Sequence, residues 1–186
     1  KSGDVSGDGG RVTILNNVPG VKASRVAVVG LGKSSEFDIS AFRQAVAAAI
    51  HAISNSKIKQ VLNSLTLEPV TGGSPYYLAR HTVEAVNDAL YRFDQMKSGR
   101  KKASMPLNTI GVSIAKRGDA AKATRGAEHG GGISAGVSLA KDLGNLPANV
   151  CTPSYLARVA KKMSSGNGKL STRVLNEAEM KKHVGN

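Results

Sequence analysis

Residues 38–53 read DISAFRQAVAAAIHAI, and this stretch decides the fold class. Its apolar side chains recur at spacings of three and four residues, the period of one face of an α-helix, and Asp38 stands where a helix-capping carboxylate is preferred. Short runs rich in β-branched residues, 25–29 before it and 61–67 after it, predict strands. A strand, an amphipathic helix and a second strand indicate an α/β layer fold with a largely parallel or mixed sheet.

The alternation of strands and helices continues outward from this stretch. Residues 11–15 and 25–29 flank the turn sequence NNVPG, so they are predicted to pair as strands. Ser74 followed by Pro75 is typical of a helix start, and the apolar period beyond it extends a second helix to about residue 94. Residues 109–114 alternate as a strand does, which gives the order β, β, α, β, α, β.

A glycine-rich helical pattern then runs from residue 120 to about residue 143. Each interior glycine costs a helix about 1 kcal/mol relative to alanine, so several of them need a packing reason. Gly132, Gly136 and Ala140 recur at every fourth position and predict a smooth face against which another backbone packs closely. We interpret this helix as the connection between two domains.

The sequence is thus predicted to have three parts: a domain over 1–118, an interdomain helix over 119–144, and the start of a second domain over 145–186. In the third part, Thr152 and Pro153 predict a helix start, residues 170–175 a strand, and residues 177–183 a short helix. A segment of this length can only begin a second α/β unit.

Composition indicates a folded and strongly basic chain. The 186 residues include 26 Lys plus Arg against 13 Asp plus Glu, a net charge of +13, and 40% are hydrophobic. No apolar run is long enough for a membrane span, the first residues do not resemble a signal peptide, and a single cysteine, Cys151, favours a cytoplasmic protein. Because the sequence starts with lysine and stops just after a predicted short helix, we expect a piece of a longer protein.

Few residues suggest chemistry. Gly30 to Lys33 follow a strand as a dinucleotide-binding loop does, but Ser35 replaces the third glycine of that pattern, so a tight turn is favoured. Carboxylate pairs such as Glu84 and Asp88 suit solvated helix faces, and Cys151 has no histidine near it in sequence. The histidines stand apart from any second ligand; they are His51, His81, His129 and His183. We therefore predict no catalytic and no metal-binding residue in this chain.

The positive charge is concentrated between residues 97 and 125. Such a patch can neutralise phosphates, although aromatic residues do not alternate with the basic ones as they do in single-strand readers. A solvated surface is the favoured interpretation, and nucleic-acid contact is the alternative. The candidate contact residues are Lys97, Arg100, Lys101, Lys102, Lys116 and Arg117.

Residues 140–157, AKDLGNLPANVCTPSYLA, resemble the segment that opens the catalytic domain of the leucyl (cytosol) aminopeptidases of bacterial type. The flanking residues are similar to the same family. Residues 132–136 look like its interdomain helix, and residues 174–180 look like its next strand and helix. Residues 28–32 are similar to its N-terminal domain, so the resemblance covers nearly the whole chain.

The resemblance implies a macro-like N-terminal α/β sandwich that is incomplete at its start. A long interdomain helix and the first elements of a second, catalytic α/β domain follow. The family is cytoplasmic and homohexameric; its members are metalloproteases, hydrolases that release N-terminal residues such as leucine from peptides. Members use two divalent metal ions, manganese or zinc, which activate water and polarise the scissile carbonyl.

The family's metal-binding and catalytic motifs, GKGxTFDxGG and NTDAEGR, do not occur in this sequence. The segment is therefore predicted to be inactive alone and to serve domain packing and hexamer assembly. The alternative is a nucleic-acid-binding module of the kind found in DNA-binding accessory proteins. No membrane partner is expected.

Overall fold

The structure is a computed structural model that describes residues 5–96 and 106–184. The chain divides into two compact units, residues Lys1–Ala140 and Lys141–Asn186. Helices and strands are mixed along the chain, so the predicted α/β class is confirmed. None of the described helices combines the length and the apolar content that crossing a membrane requires.

The described strands of the first unit form two small sheets. Strands β1 (Val12–Asn16) and β2 (Arg25–Val29) pair antiparallel, which confirms the predicted pairing. Strands β3 (Gln60–Asn63) and β4 (Thr109–Val112) pair in parallel. The predicted parallel or mixed sheet is thus realised as one antiparallel and one parallel ladder, each of two strands.

Two amphipathic helices supply the core of the first unit. Helix α1 (Ile39–Ile53) begins where predicted, since the Asp38 carboxylate accepts a hydrogen bond from the amide of Ala41 at 2.9 Å. Helix α2 (Pro75–Leu90) connects β3 to β4 and is capped by Ser74. The two helices bury their predicted apolar faces against each other. The buried cluster comprises Phe37, Phe42, Val46, Ile50, Leu78, Ala85 and Val86.

Strand β3 is shorter than the predicted strand over 61–67. The side chain of Asn63 is buried, its amide donates to the Thr82 hydroxyl at 2.9 Å, and its oxygen accepts from the Leu65 amide at 3.0 Å. That second bond turns the chain into a short 3₁₀ helix over Leu65–Leu67. Helix α2 likewise ends before residue 94, and β4 ends two residues before residue 114.

Helix α3 (Ala120–Asn145) confirms the predicted long helix, but a different glycine pair packs closely. Gly126 and Gly130 face the backbone of α2, where a Cβ on Gly130 would lie 2.7 Å from the Arg80 carbonyl oxygen. A Cβ on Gly132 or Gly136 would meet open space. The buried stripe of α3 runs through Ala123, Gly126, Gly130 and Ser134. Close packing of a second domain on the face of Gly132, Gly136 and Ala140 stays a prediction.

The second unit contains the end of α3 and two further helices. Helix α4 (Pro153–Ser165) starts where predicted, with the Thr152 hydroxyl accepting from the amide of Tyr155 at 3.3 Å. Helix α5 (Glu177–Val184) matches the predicted short helix. The strand predicted over 170–175 is wrong for the described structure, because this segment has no strand partner among the described residues.

Candidate functional site

A charged cluster joins α1 to α2, and we define it by Arg43, Arg80, His81 and Glu84. The Glu84 carboxylate accepts from Arg43 at 2.5 Å, from Arg80 at 2.6 Å and from His81 Nδ1 at 3.1 Å. Its side chain is only 10% exposed, whereas those of Arg43 and Arg80 are 38% and 29% exposed. The charged cluster therefore places one nearly buried anion among three nitrogen donors.

The surroundings of Glu84 favour its charged carboxylate form. Burial is the largest single influence and raises its pKa, but hydrogen bonds from Arg80, Arg43 and His81 together outweigh it, so the pKa lies below its ordinary value. The hydrogen bond to Glu84 in turn raises the pKa of Arg80. A general acid or base needs a pKa near the working pH, so Glu84 suits an ion pair between helices and not proton transfer.

The sequence predicts that Glu84 and Asp88 lie on a solvated helix face. This is wrong for Glu84, whose side chain is nearly buried. Part of the charged cluster could have been found by sequence reasoning, because Arg80 precedes Glu84 by four residues, a spacing at which opposite charges meet on a helix. The contribution of Arg43 could not have been found from the sequence, because Arg43 lies 41 residues away from Glu84.

The four histidines lie apart from one another. His129 on α3 is exposed and its Nδ1 lies 2.8 Å from the Tyr76 hydroxyl, while His81 belongs to the charged cluster. His51 and His183 are exposed near the ends of α1 and α5. Over residues 5–96 and 106–184, no three side chains of His, Cys, Asp or Glu are grouped so that they could hold a metal ion.

The glycine turn after β2 uses its amides internally. The amide of Gly30 donates to the Arg11 carbonyl and that of Gly32 donates to the Gly7 carbonyl, both at 2.8 Å. Gly32 has a φ of +74°, a backbone conformation that glycine adopts without strain. A phosphate loop must point free amides at its anion, so these bonds support the interpretation as a tight turn.

A cleft of about 200 Å³ lies beside the ends of β3 and β4. Ligands commonly bind outside the carboxyl ends of parallel strands, which is where this cleft is found. Its lining includes the carboxyl-bearing residues Glu68 and Asp119 and the hydroxyl-bearing Ser74, and none of its described lining residues is a lysine or an arginine. The described lining therefore offers a phosphate group no cationic partner.

The structure describes only two of the six basic candidate residues. Lys97, Arg100, Lys101 and Lys102 lie outside the described residues. Lys116 and Arg117 are neighbours on the exposed turn before α3, and beyond them Asp119 and Lys122 approach to 4.0 Å. Nucleic-acid contact by these six residues stays a prediction of the sequence.

The segment between α3 and α4 forms a tight turn. The Pro147 carbonyl accepts from the amides of Val150 and Cys151, both at 2.9 Å, and Thr152 then caps α4. Cys151 is half-buried beside this cap. The AKDLGNLPANVCTPSYLA motif thus contains the end of α3, this turn and the start of α4.

The family model and the similar proteins all point to the same family. A sequence model described as the N-terminal domain of the cytosol aminopeptidase family matches residues 1–100. A probable cytosol aminopeptidase of Methylobacillus flagellatus is 38% identical over 182 residues, which is 98% of this chain and 36% of that protein. One of Paraburkholderia phytofirmans is 40% identical over 179 residues, 96% of this chain and 35% of that protein.

Solved structures share the fold. The bottromycin maturation enzyme BotP in complex with Mn superposes with a TM-score of 0.76 at 25% identity, covering 95% of this chain and 34% of that one. A mutant of tomato leucine aminopeptidase superposes with a TM-score of 0.74 at 24% identity, covering 96% of this chain and 34% of that one. The chain therefore spans only about a third of the length of the relatives that it matches.

Proposed function

The chain belongs to the cytosol aminopeptidase family, and on that premise we propose that it is the non-catalytic N-terminal part of a leucyl aminopeptidase. The observation that carries the proposal is the match of residues 1–100 to the family's N-terminal domain, supported by relatives that are 36–40% identical over nearly the whole chain. The domain organisation that we propose is a macro-like domain over 1–118, a connecting helix over 119–144 and the start of the peptidase domain from 145.

The proposed reaction is hydrolysis of the first peptide bond of a peptide, with release of residues such as leucine. Two divalent metal ions, manganese or zinc, would activate the water and polarise the carbonyl in the complete enzyme. The described residues of this chain do not fit such a pair of ions. They contain no suitable group of ligands, and the carboxylate of the charged cluster, that of Glu84, already accepts from three side chains.

The proposed role of this segment is to pack against the catalytic part and to contribute to a cytoplasmic homohexamer. Two features support a structural role. The charged cluster and the buried core hold α1 and α2 together, and the Pro147 turn fixes how the chain leaves α3. Neither feature leaves a free acid, base or nucleophile at a site that could bind a peptide.

A peptidase assay on the chain as it stands tests the inactivity of the segment. We expect no hydrolysis of leucine p-nitroanilide above the blank when purified chain is supplied with Mn²⁺ or Zn²⁺. Fractions from size-exclusion chromatography serve as the control for contaminating peptidases. Turnover that follows the 19.3 kDa species through the column and disappears with EDTA would overturn the proposal.

A further inference from the structure

The loop after α4 contains the only Asn-Gly pair of the sequence, Asn167 followed by Gly168. Both residues are exposed and come shortly after α4, which ends at Ser165. Asparagine is one of the residues most prone to chemical change in proteins. The change begins when the backbone nitrogen of the next residue attacks the side-chain amide carbon. Its ease therefore depends on the next residue and on the local geometry.

Hydrogen bonds fold the Asn167 side chain back over its own backbone. Its Oδ1 accepts from the amide of Lys169 at 3.0 Å, and its carbonyl oxygen accepts from the amide of Leu170 at 3.0 Å. The first bond is an Asx turn, in which an asparagine side chain bonds to the backbone two residues ahead. Because Gly168 lies between the two bonded residues, this turn holds the side-chain amide carbon close to the Gly168 nitrogen.

The backbone nitrogen of Gly168 is available to react. Among the described residues, its amide donates no hydrogen bond, whereas the amides of Asn167, Lys169 and Leu170 all do. An amide without such a bond loses its proton more easily than one that must first give up an acceptor. Glycine also has no Cβ to obstruct the approach of the nitrogen to its target.

A second exposed asparagine, Asn55, lacks these features. The residue after it is Ser56, whose amide donates to the Ile53 carbonyl at 2.9 Å. The corresponding nitrogen is therefore engaged in a hydrogen bond and carries a residue with a side chain. Asn63, in contrast, is buried. The structure thus separates Asn167 from Asn55 by geometry as well as by sequence.

We propose that Asn167 is a site of spontaneous deamidation, with water as the only co-reactant. The Gly168 nitrogen loses its proton and forms a bond to Cγ of Asn167, and the side-chain nitrogen leaves as ammonia. The product is a cyclic succinimide, which water opens at either of its carbonyls. One opening gives aspartate, and the other gives isoaspartate, in which the backbone runs through the former side chain. No electron is gained or lost, and the chain acquires a negative charge.

The modification acts on the end of α4. A carboxylate at residue 167 lies beside the carbonyl end of this helix, where the helix dipole disfavours negative charge. Isoaspartate also lengthens the backbone within the turn that joins Asn167 to Leu170. Deamidation is therefore an irreversible change that weakens this turn. The inference does not rest on the proposed function, because it needs neither a metal ion nor a peptide substrate.

Ageing of the purified chain tests the proposal. The chain is held at body temperature and mildly alkaline pH, and tryptic peptides are followed over time by liquid chromatography and mass spectrometry. We expect the peptide that contains Asn167 to gain about one dalton and to separate into aspartate and isoaspartate forms. The rate should rise with pH, because the attacking nitrogen must be deprotonated.

Gly168→Ala is the matched variant, since a Cβ at this position meets no heavy atom within 4 Å and the fold is kept. It should slow the conversion of Asn167 at least about tenfold, which corresponds to about 1.4 kcal/mol in the barrier. Asn55 is the internal control in the same sample, and it should convert at least about tenfold more slowly than Asn167. Circular dichroism of the variant checks that its secondary structure is kept.

Three outcomes would overturn the proposal. The first is an unchanged Asn167 over a period in which a synthetic peptide of residues 163–169 converts. The second is conversion of Asn167 at the same rate as Asn55, or at the same rate in wild type and Gly168→Ala. The third is aspartate as the sole product, because direct hydrolysis of the side chain gives no isoaspartate.

Discussion

The guanidinium of Arg43 on α1 lies 2.5 Å from the carboxylate of Glu84 on α2, and this ion pair joins two helices that are far apart in sequence. Glu84 is the shared acceptor, because Arg80 and His81 donate to the same carboxylate. Beneath this charged cluster the two helices bury the apolar core. The charged cluster therefore fixes the relative position of the elements on which the first unit depends.

Replacing Glu84 by glutamine should destabilise the first unit. The substitution keeps the size of the side chain but leaves Arg43 and Arg80 without their anion, and a hydrogen bond to a charged group contributes about 1.5–3 kcal/mol. We expect the free energy of unfolding in urea at neutral pH to fall by about 1–3 kcal/mol. Glu36→Gln is the control, since its pair with Lys33 is 68% and 79% exposed and should change stability by less than about 0.5 kcal/mol. Equal losses in the two variants would contradict this account.

The contribution of Glu84 should depend on pH in a defined direction. Because the folded-state pKa of Glu84 lies below its ordinary value of 4.5, its stabilisation is complete above that value and is lost as the pH falls through the folded pKa. The stability gap between wild type and Glu84→Gln should stay constant around neutrality and narrow in acid. Urea titrations from neutral to acidic pH measure it, and a gap that widens in acid would show that the sign is wrong.

The glycines of α3 should separate into two classes. An alanine at Gly126 would press its Cβ into the Tyr76 backbone, whereas an alanine at Gly132 meets open space. We expect Gly126→Ala to lower the free energy of unfolding by about 1–3 kcal/mol through overpacking. Gly132→Ala should raise it by up to about 1 kcal/mol through helix propensity. Thermal unfolding measures the stability of the two variants side by side. A loss of stability in Gly132→Ala would contradict this account, because it would show that Gly132 is closely packed.

The buried hydroxyl of Thr82 should contribute to the free energy of unfolding through its hydrogen bonds. It accepts from Asn63 at 2.9 Å and donates to the Leu78 carbonyl at 2.7 Å, so Thr82→Val strands the buried Asn63 amide. We expect a loss of about 1–3 kcal/mol, compared with almost none for Thr124→Val on the exposed side of α3. Chemical denaturation measures both. A neutral Thr82→Val would mean that Asn63 does not depend on this bond to end β3.

Much of the fold follows from local signals in the sequence. The caps at Asp38, Ser74 and Thr152 and the apolar periods behind them predict α1, α2 and α4, because capping and amphipathicity are read within a few residues. The end of β3 could not be predicted in this way, since it depends on the distant partner Thr82 of Asn63. The close packing of Gly126 and Gly130 could not be predicted for the same reason, because it depends on the backbone of Tyr76 and Arg80 in α2.

Some features of the candidate site could likewise be predicted from the sequence, and others could not. The absence of the family's metal-binding motifs is a property of the sequence, and so is the motif that builds the Pro147 turn. The charged cluster needed the structure, because Arg43 and Glu84 meet only when α1 and α2 pack. The strand predicted over 170–175 also could not be judged from local sequence alone, since a strand-forming sequence cannot form a ladder without a second strand.

The most direct test of the proposed function is hydrolysis of leucine p-nitroanilide by this chain combined with the polypeptide that follows the matched segment in the Methylobacillus flagellatus relative, in the presence of Mn²⁺. The account predicts hydrolysis by the combined sample that EDTA abolishes, and none by the chain alone. A well-formed complex that does not hydrolyse the substrate, or metal-dependent hydrolysis by the isolated 19.3 kDa chain, would contradict it.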